Sequence, residues 1–144
     1  MAVQGEYIYE WPRPMVTADA LVFAVCNGRK SVLLIKRGND PYKGLWAVPG
    51  GFLEMDEELE TAAKRELLEE TGIEKIELKQ MHTFGTLGRD PRGRQITVVF
   101  TGTVEKEIEA TAGDDAAEAK WFNIKDLPEL AFDHDKVIAM GIGF

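Results

Sequence analysis

The sequence predicts an α/β fold, a sandwich of helices on a mixed β-sheet. Apolar, strand-like segments alternate along the chain with segments of helical periodicity. The clearest helix, from about Asp56 to Thr71, has strand-like segments on both sides. The 144 residues are a usual length for one domain, and no linker-like stretch divides them. We therefore predict a single domain over residues 1–144.

The first fourteen residues differ from the rest. Trp11-Pro12-Arg13-Pro14 interrupts regular structure, because proline lacks a backbone donor, and it separates residues 1–14 as an N-terminal arm. Tyr7, Tyr9 and Trp11 alternate within the arm. This period of two predicts an edge strand with one aromatic face.

The body of the chain carries the remaining elements. Asn27-Gly28 predicts a tight hairpin, and Gly72 predicts a left-handed cap that ends the helix. Two short helices are expected, Asp126–Leu130 and Asp135–Met140. The predicted strands are Ala18–Cys26, Ser31–Ile35, Leu45–Val48, Lys75–Phe84, Gln95–Val104 and Ala119–Ile124.

Charge and composition exclude several classes of function. The formal net charge of −8 argues against sequence-independent binding of nucleic acid, which needs a basic surface. Cys26 is the sole cysteine, so no internal disulfide is possible. The first ten residues lack the apolar run of a secretory signal, and no stretch has the length of a membrane span. We expect a cytoplasmic protein with neither a nucleic-acid nor a membrane partner.

The predicted helix places glutamates where an amphipathic helix places core residues. At 100° per residue, Glu66 and Glu70 share a face with Leu59 and Leu67, and Glu69 lies beside them. Burying unpaired carboxylates is costly, and their repulsion raises their pKa values. They also crowd the C-terminal end of the helix, where the dipole favours cations.

A bound divalent cation would remove both conflicts. Oxygen ligands favour Mg²⁺, or Mn²⁺, over zinc. Gly50 and Gly51 precede the helix and allow the backbone to approach a ligand closely. The alternative is a solvated acidic face with ordinary Glu–Arg pairs.

The spacing from Gly51 to Ile73 resembles the signature of the Nudix hydrolase family. Five residues separate Gly51 from Glu57, seven more lead to Arg65, and the segment ends in Glu69-Glu70-Thr71-Gly72-Ile73. The resemblance implies a Nudix-type α/β/α sandwich and Mg²⁺- or Mn²⁺-dependent hydrolysis of a nucleoside diphosphate linked to another group.

The same resemblance implies roles for individual residues. The metal would be held by the Gly50 carbonyl and by Glu66, Glu69 and Glu70. Glu57 would be a further carboxylate of the site, and Arg65 would orient Glu69. In relatives the general base is often a glutamate of a later loop or a carboxylate within the motif itself; of the loop residues Asp114, Asp115 and Glu118, we predict Glu118. Its alternative is a solvated side chain beside a polar turn.

A second segment bears on the substrate. Arg89, Arg92 and Arg94 lie on a predicted loop in an acidic chain, and guanidinium groups suit phosphate oxygens. The run resembles a segment of the ADP-ribose pyrophosphatase branch of the family, which implies hydrolysis of ADP-ribose to AMP and ribose 5-phosphate. The alternative is a solvated loop tip. The candidate substrate contacts are Arg37, Arg89, Arg92, Trp46 and Phe84.

Several alternatives stay open. The aromatic candidates can equally pack in the core or at a dimer interface, since some members of this branch dimerise. The substrate can instead be an ordinary or oxidised nucleoside triphosphate. The protein can also be a sensor that binds ADP-ribose without hydrolysing it, although the glutamates such sensors commonly lose are all present here.

Overall fold

The structure, a computed structural model, describes residues 6–144. Over this range seven strands form one sheet. The strands are β1 (Met15–Cys26), β2 (Arg29–Arg37), β3 (Trp46–Ala47), β4 (Gly50–Phe52), β5 (Lys79–Phe84), β6 (Gln95–Val104) and β7 (Ala116–Asn123). The main path of the sheet runs β3-β2-β1-β6-β5, with β4 paired to β1 and β7 to β2. The β1–β6 pair is parallel and the other pairs are antiparallel, which confirms the mixed sheet.

Two helices cover opposite faces of the sheet, α1 (Leu59–Thr71) and α2 (His134–Gly143). Alternate residues of β1 point to opposite faces, so Ala20 packs with Ala63 of α1 while Leu21 packs with Val137 of α2. The predicted α/β/α sandwich is therefore present. Within residues 6–144, neither helix has the length and apolar character needed to cross a bilayer.

Local signals place most of the predicted elements. Asn27 and Gly28 have positive φ values of 53° and 77° and close the hairpin between β1 and β2. Gly72 ends α1 in the left-handed conformation, donating its N–H to the Leu68 carbonyl. Helix α1 begins at Leu59 rather than at Asp56, because the Glu57 carboxylate accepts the Glu54 N–H and holds a turn there.

Two predicted elements are wrong. Residues 126–130 form no helix, because neighbouring backbone groups bond to β3 instead: the Trp46 N–H donates to the Glu129 carbonyl, and the Ala131 N–H to the Trp46 carbonyl. Residues 6–14 form no strand, and Pro12 and Pro14 lack the N–H donors that strand pairing needs. The part of the arm before residue 6 lies outside the described residues.

Candidate functional site

Helix α1 presents its carboxylates to the end of the sheet that carries β4. Glu66 and Glu70 are each 6% exposed and lie on the buried face with Ala62, Ala63 and Leu67. Glu69 is beside them with a side chain 31% exposed. The inward placement predicted from helical periodicity is therefore the one observed.

Arg65 forms the centre of a carboxylate network. Its Nε and Nη2 donate to the two oxygens of Glu57 at 3.0 and 2.6 Å. Its Nη1 donates to Glu66 at 2.8 Å and to Glu69 at 3.3 Å, and its Nη2 also reaches the Phe52 carbonyl at 3.1 Å. Arg65 therefore orients Glu57 and Glu66 at shorter range than Glu69. The hydrogen bond from Arg65 is the main cause that holds the pKa of Glu57 below its usual value.

Strand β4 brings glycine backbone against these carboxylates. The Gly50 N–H donates to Glu70 Oε1 at 2.8 Å. A methyl group on Gly50 would collide with the Asp19 carboxyl group, and one on Gly51 would collide with the carboxyl group of Glu66. Gly50 therefore allows the close approach of β4 to β1, where a methyl group would also meet the Ala18 carbonyl, and at Gly51 a side chain would displace the Glu66 carboxyl group.

Burial leaves the carboxylates electrostatically strained. It raises the pKa of Glu70 to about 9, with further upward contributions from the charges of Glu66, Asp19 and Asp114, while the Gly50 N–H opposes the rise. Burial likewise raises the pKa of Glu66, and it raises that of Asp19 to about 7. A nearby cation would oppose these shifts.

A carboxylate from a distant loop completes an oxygen cluster. One oxygen each of Glu66, Glu69 and Asp114 lies within 4.8 Å of the others. The loop reaches α1 because the Gly113 N–H donates to the Glu70 carbonyl at 3.3 Å, and a side chain at Gly113 would press on the Glu69 carbonyl. Such a set of hard oxygen donors fits Mg²⁺ or Mn²⁺.

The sequence offers Asp114 as one of three candidate bases, whereas in the structure it lies with the carboxylates of α1. The signal that could have identified it is Gly113, whose missing side chain lets the loop dock on α1. Glu118 lies outside the cluster on β7, opposite Lys36 of β2 in the strand register. Its side chain is 58% exposed and lies 3.3 Å from the Lys36 ammonium. The assignment of Glu118 as general base stays a prediction.

The arginines of the 85–94 loop have unequal surroundings. Arg89 has a side chain only 5% exposed and forms two hydrogen bonds with Asp133, at 2.9 and 2.7 Å. Arg94 donates to the Gly85 carbonyl at 2.6 Å. Arg92 pairs with Asp90 and keeps 37% of its side chain exposed. Of the predicted contacts on this loop, Arg92 is the more accessible, whereas Arg89 anchors the loop to the segment before α2.

The two aromatic candidates lie at the edge of the core on the α2 side of the sheet. Trp46 is partly buried there and meets Phe122 edge-on at 4.7 Å between ring centroids. Phe84 packs against the same cluster and meets His82 edge-on at 4.9 Å. This packing matches the core alternative. Stacking of either ring on a substrate stays a prediction.

Comparison with known proteins supports the resemblance to the Nudix family that the sequence shows. The model of the NUDIX domain family matches residues 15–140. The chain is 43% identical over 125 residues to an ADP-ribose pyrophosphatase of Methanocaldococcus jannaschii, covering 87% of this chain and 71% of that protein. It is 36% identical over 133 residues to the ADPR responsive transcriptional repressor NtrR of Acinetobacter baylyi, covering 90% of this chain but only 53% of the repressor.

One solved structure matches the fold of this chain over nearly the whole length of both chains. It is the NUDIX domain of Shewanella oneidensis NrtR in complex with ADP ribose. The TM-score is 0.86 at 32% sequence identity, and the match covers 92% of this chain and 89% of that one. The elements around the carboxylate cluster therefore belong to a fold shared with a protein that binds ADP ribose.

Proposed function

We propose that this chain, which belongs to the Nudix family, hydrolyses the pyrophosphate bond of a nucleoside diphosphate derivative. The substrate is ADP-ribose, and the products are AMP and ribose 5-phosphate. The carrying observation is the convergence of Glu66 and Glu69 with Asp114 on one small volume. The similarity to an ADP-ribose pyrophosphatase and to an ADP-ribose-bound domain supports the choice of substrate.

The residues around this volume suit a divalent metal. Glu66, Glu69 and Asp114 each offer one oxygen, and Glu70 with the Gly50 carbonyl would complete the ligand set. When bound there, Mg²⁺ or Mn²⁺ supplies charge neutralisation for the diphosphate and lowers the pKa of a water molecule. The fit rests on this set of hard oxygen donors, and a cation bound there would favour the ionised carboxylates that burial alone disfavours.

The chain's own residues would then act by position and charge. Arg65 holds Glu57 through two hydrogen bonds and Glu66 through a third, so these carboxylates keep one orientation. A general base accepts the proton of water as its oxygen attacks phosphorus and the phosphoanhydride P–O bond breaks. Glu118 is our candidate for this base, whereas Asp114 lies with the metal carboxylates.

A sensor that binds ADP-ribose is the second candidate function. The repressor NtrR favours it, although this chain spans about half of that protein's length. A sensor needs the ligand site but not the complete set of carboxylates. Measured turnover therefore separates the two functions. The same assay includes nucleoside triphosphates, because they are the alternative substrates. A homodimer and a cytoplasmic location remain predictions.

The test is a product assay by HPLC with Mg²⁺ on ADP-ribose, nucleotide sugars, dinucleotides and nucleoside triphosphates. We expect AMP and ribose 5-phosphate from ADP-ribose, and a loss of about 10²-fold or more in kcat for Glu69→Gln. The matched control is Glu60→Gln on the same helix, whose side chain is 53% exposed and pairs only loosely with Lys64. Pyrophosphate release from a triphosphate would refute the substrate. Binding of ADP-ribose without turnover would favour the sensor.

A further inference from the structure

Two guanidinium groups share one aromatic ring beside the carboxylate site. The guanidinium carbon of Arg37 lies 4.9 Å from the ring centroid of Phe132, and that of Arg92 lies 5.5 Å from it. Arg92 is also 5.3 Å from the ring of Phe52, so its guanidinium contacts two phenyl rings. These residues come from β2, the 85–94 loop, β4 and the segment before α2. Tertiary packing therefore creates an arginine pair that no local motif encodes.

Each arginine is held in place by one side of its guanidinium group. Arg37 Nε donates to the Pro41 carbonyl at 2.7 Å. Arg92 Nε and Nη2 donate to Asp90 at 3.1 and 2.8 Å, and Asp90 is itself only 5% exposed. Among residues 6–144, the two amino nitrogens of Arg37 and Nη1 of Arg92 make no hydrogen bond within the chain. Pre-organised donors are thus left for a ligand.

The pair is electrostatically unfavourable in the protein alone. Burial lowers the pKa of Arg37, and the positive charge of Arg92 lowers it further. The negative charges of Glu70, Asp90 and Asp115 act in the opposite direction. Because Glu70 belongs to the proposed metal site, the pair lies within electrostatic range of that site. An anion between the two arginines would offset their repulsion.

The backbone beneath the pair is strained in a way that holds the aromatic ring. Phe132 has a φ of 53° and Tyr42 a φ of 60°, both in the left-handed region that bulky residues avoid. The two rings meet edge-on at 4.8 Å between centroids. The buried Arg89–Asp133 pair ties the loop of Arg92 to the residue next to Phe132. The ring and both arginines are thus positioned together.

We propose that Arg37 and Arg92, whose guanidinium groups both lie against the Phe132 ring, form an anion subsite. This subsite binds a phosphate group of a diphosphate-linked nucleotide next to the carboxylate site. Phe132 is a positioning residue that sets the distance and orientation of the two guanidinium groups. The two amino nitrogens of Arg37 and Nη1 of Arg92 match the several oxygens of a tetrahedral phosphate, whereas a planar carboxylate offers only two. The inference rests on the proposed function, since it concerns the same substrate.

The first test compares kinetics and binding in three variants, Arg37→Gln, Arg92→Gln and Phe132→Leu. We expect each to raise KM for ADP-ribose about tenfold or more, with kcat changed less than about twofold, since charge-assisted hydrogen bonds act mainly on binding. We expect the Kd for inorganic diphosphate, measured by calorimetry with EDTA, to rise in parallel. The controls are Arg29→Gln and Phe144→Leu, because Arg29 pairs with Glu107 at an exposed site and Phe144 is 59% exposed beside the Lys79 ammonium.

A double variant separates positioning from simple packing. If Phe132 acts through Arg92, adding Phe132→Leu to Arg92→Gln costs much less than the sum of the single effects on KM. Additive effects, or an unchanged KM in folded Phe132→Leu, would overturn the proposal. Should Phe132→Leu fail to fold, Phe132→Tyr keeps the ring and should keep KM. Arg92→Lys then tests the guanidinium group: it keeps the charge but loses the planar group held by Asp90, so we expect a higher KM, and an unchanged KM would refute the subsite.

The outcomes distinguish this inference from the proposed function. Wild-type protein that binds ADP-ribose without hydrolysing it, in a manner lost in the three variants, would refute the function and support the subsite. Turnover of ADP-ribose with variant KM values equal to the wild type would support the function and overturn the subsite. Failure of the wild type to bind either ADP-ribose or inorganic diphosphate would overturn the subsite as well.

Discussion

Replacing Glu70 by glutamine should stabilise the metal-free protein while abolishing its activity. The Glu70 side chain is buried at the C-terminal end of α1, and its Oε1 accepts the Gly50 N–H. Glutamine keeps that acceptor and nearly the same shape but removes the negative charge. The substitution therefore isolates the electrostatic cost of the carboxylate from its packing.

The magnitude follows from the pKa. Burial raises the pKa of Glu70 from 4.5 to about 9. Because the folded-state pKa lies above the unfolded one, the unfolded protein binds fewer protons between these values. Stability is therefore lost as pH rises through this window. At about 1.4 kcal/mol per unit, the carboxylate costs about 3 kcal/mol at pH 7 and under ~1 kcal/mol at pH 5.

The assay is unfolding in urea, monitored by tryptophan fluorescence at pH 5 and pH 7, with EDTA or with Mg²⁺. With EDTA at pH 7 we expect the unfolding free energy of Glu70→Gln to exceed that of the wild type by about 3 kcal/mol. At pH 5 the two unfolding free energies should be nearly equal. Mg²⁺ should stabilise the wild type more than the variant. Glu60→Gln, on the exposed face of α1, should change stability by less than about 0.5 kcal/mol. A Glu70→Gln variant no more stable than wild type at pH 7, or a difference independent of pH, would refute the reasoning.

Three further predictions concern the surroundings of the site. Burial lowers the pKa of His134 to about 4, so stability is lost as pH falls below about 6.5. His134→Asn should remove about 2 kcal/mol of that loss at pH 5, measured as the difference in unfolding free energy from the wild type. Arg89→Met should cost about 3 kcal/mol of unfolding free energy, because it leaves Asp133 without its buried partner; a change below about 1 kcal/mol would mean that the pair is solvated. Asp114→Asn should weaken Mn²⁺ binding about tenfold, whereas Asp115→Asn should not, as measured by calorimetry; equal effects would contradict the cluster geometry.

The carboxylate face of α1 could be predicted because helix geometry is local. The spacing of Glu66 and Glu70 from Ala62 and Ala63 determines that all four share a face, whatever the helix packs against. The hairpin at Asn27-Gly28 and the cap at Gly72 followed for the same reason, since positive φ favours these residues wherever they occur. The motif built on this helix also identified the family.

What the sequence alone did not predict depends on contacts between distant segments. The helix expected over residues 126–130 is absent because backbone groups at Glu129 and Ala131 bond to Trp46, more than eighty positions earlier. A propensity signal over five residues is weak, so tertiary hydrogen bonds override it.

The same reason separates the two parts of the candidate site. The sequence by itself determined the α1 carboxylates and their likeness to a metal-dependent hydrolase. Tertiary structure decided that Asp114 joins them, that Arg89 is committed to Asp133, and that Arg37 and Arg92 meet on Phe132. Strand register and loop docking bring these groups together from distant positions. Such distances are set by packing of the whole chain, not by spacing along it.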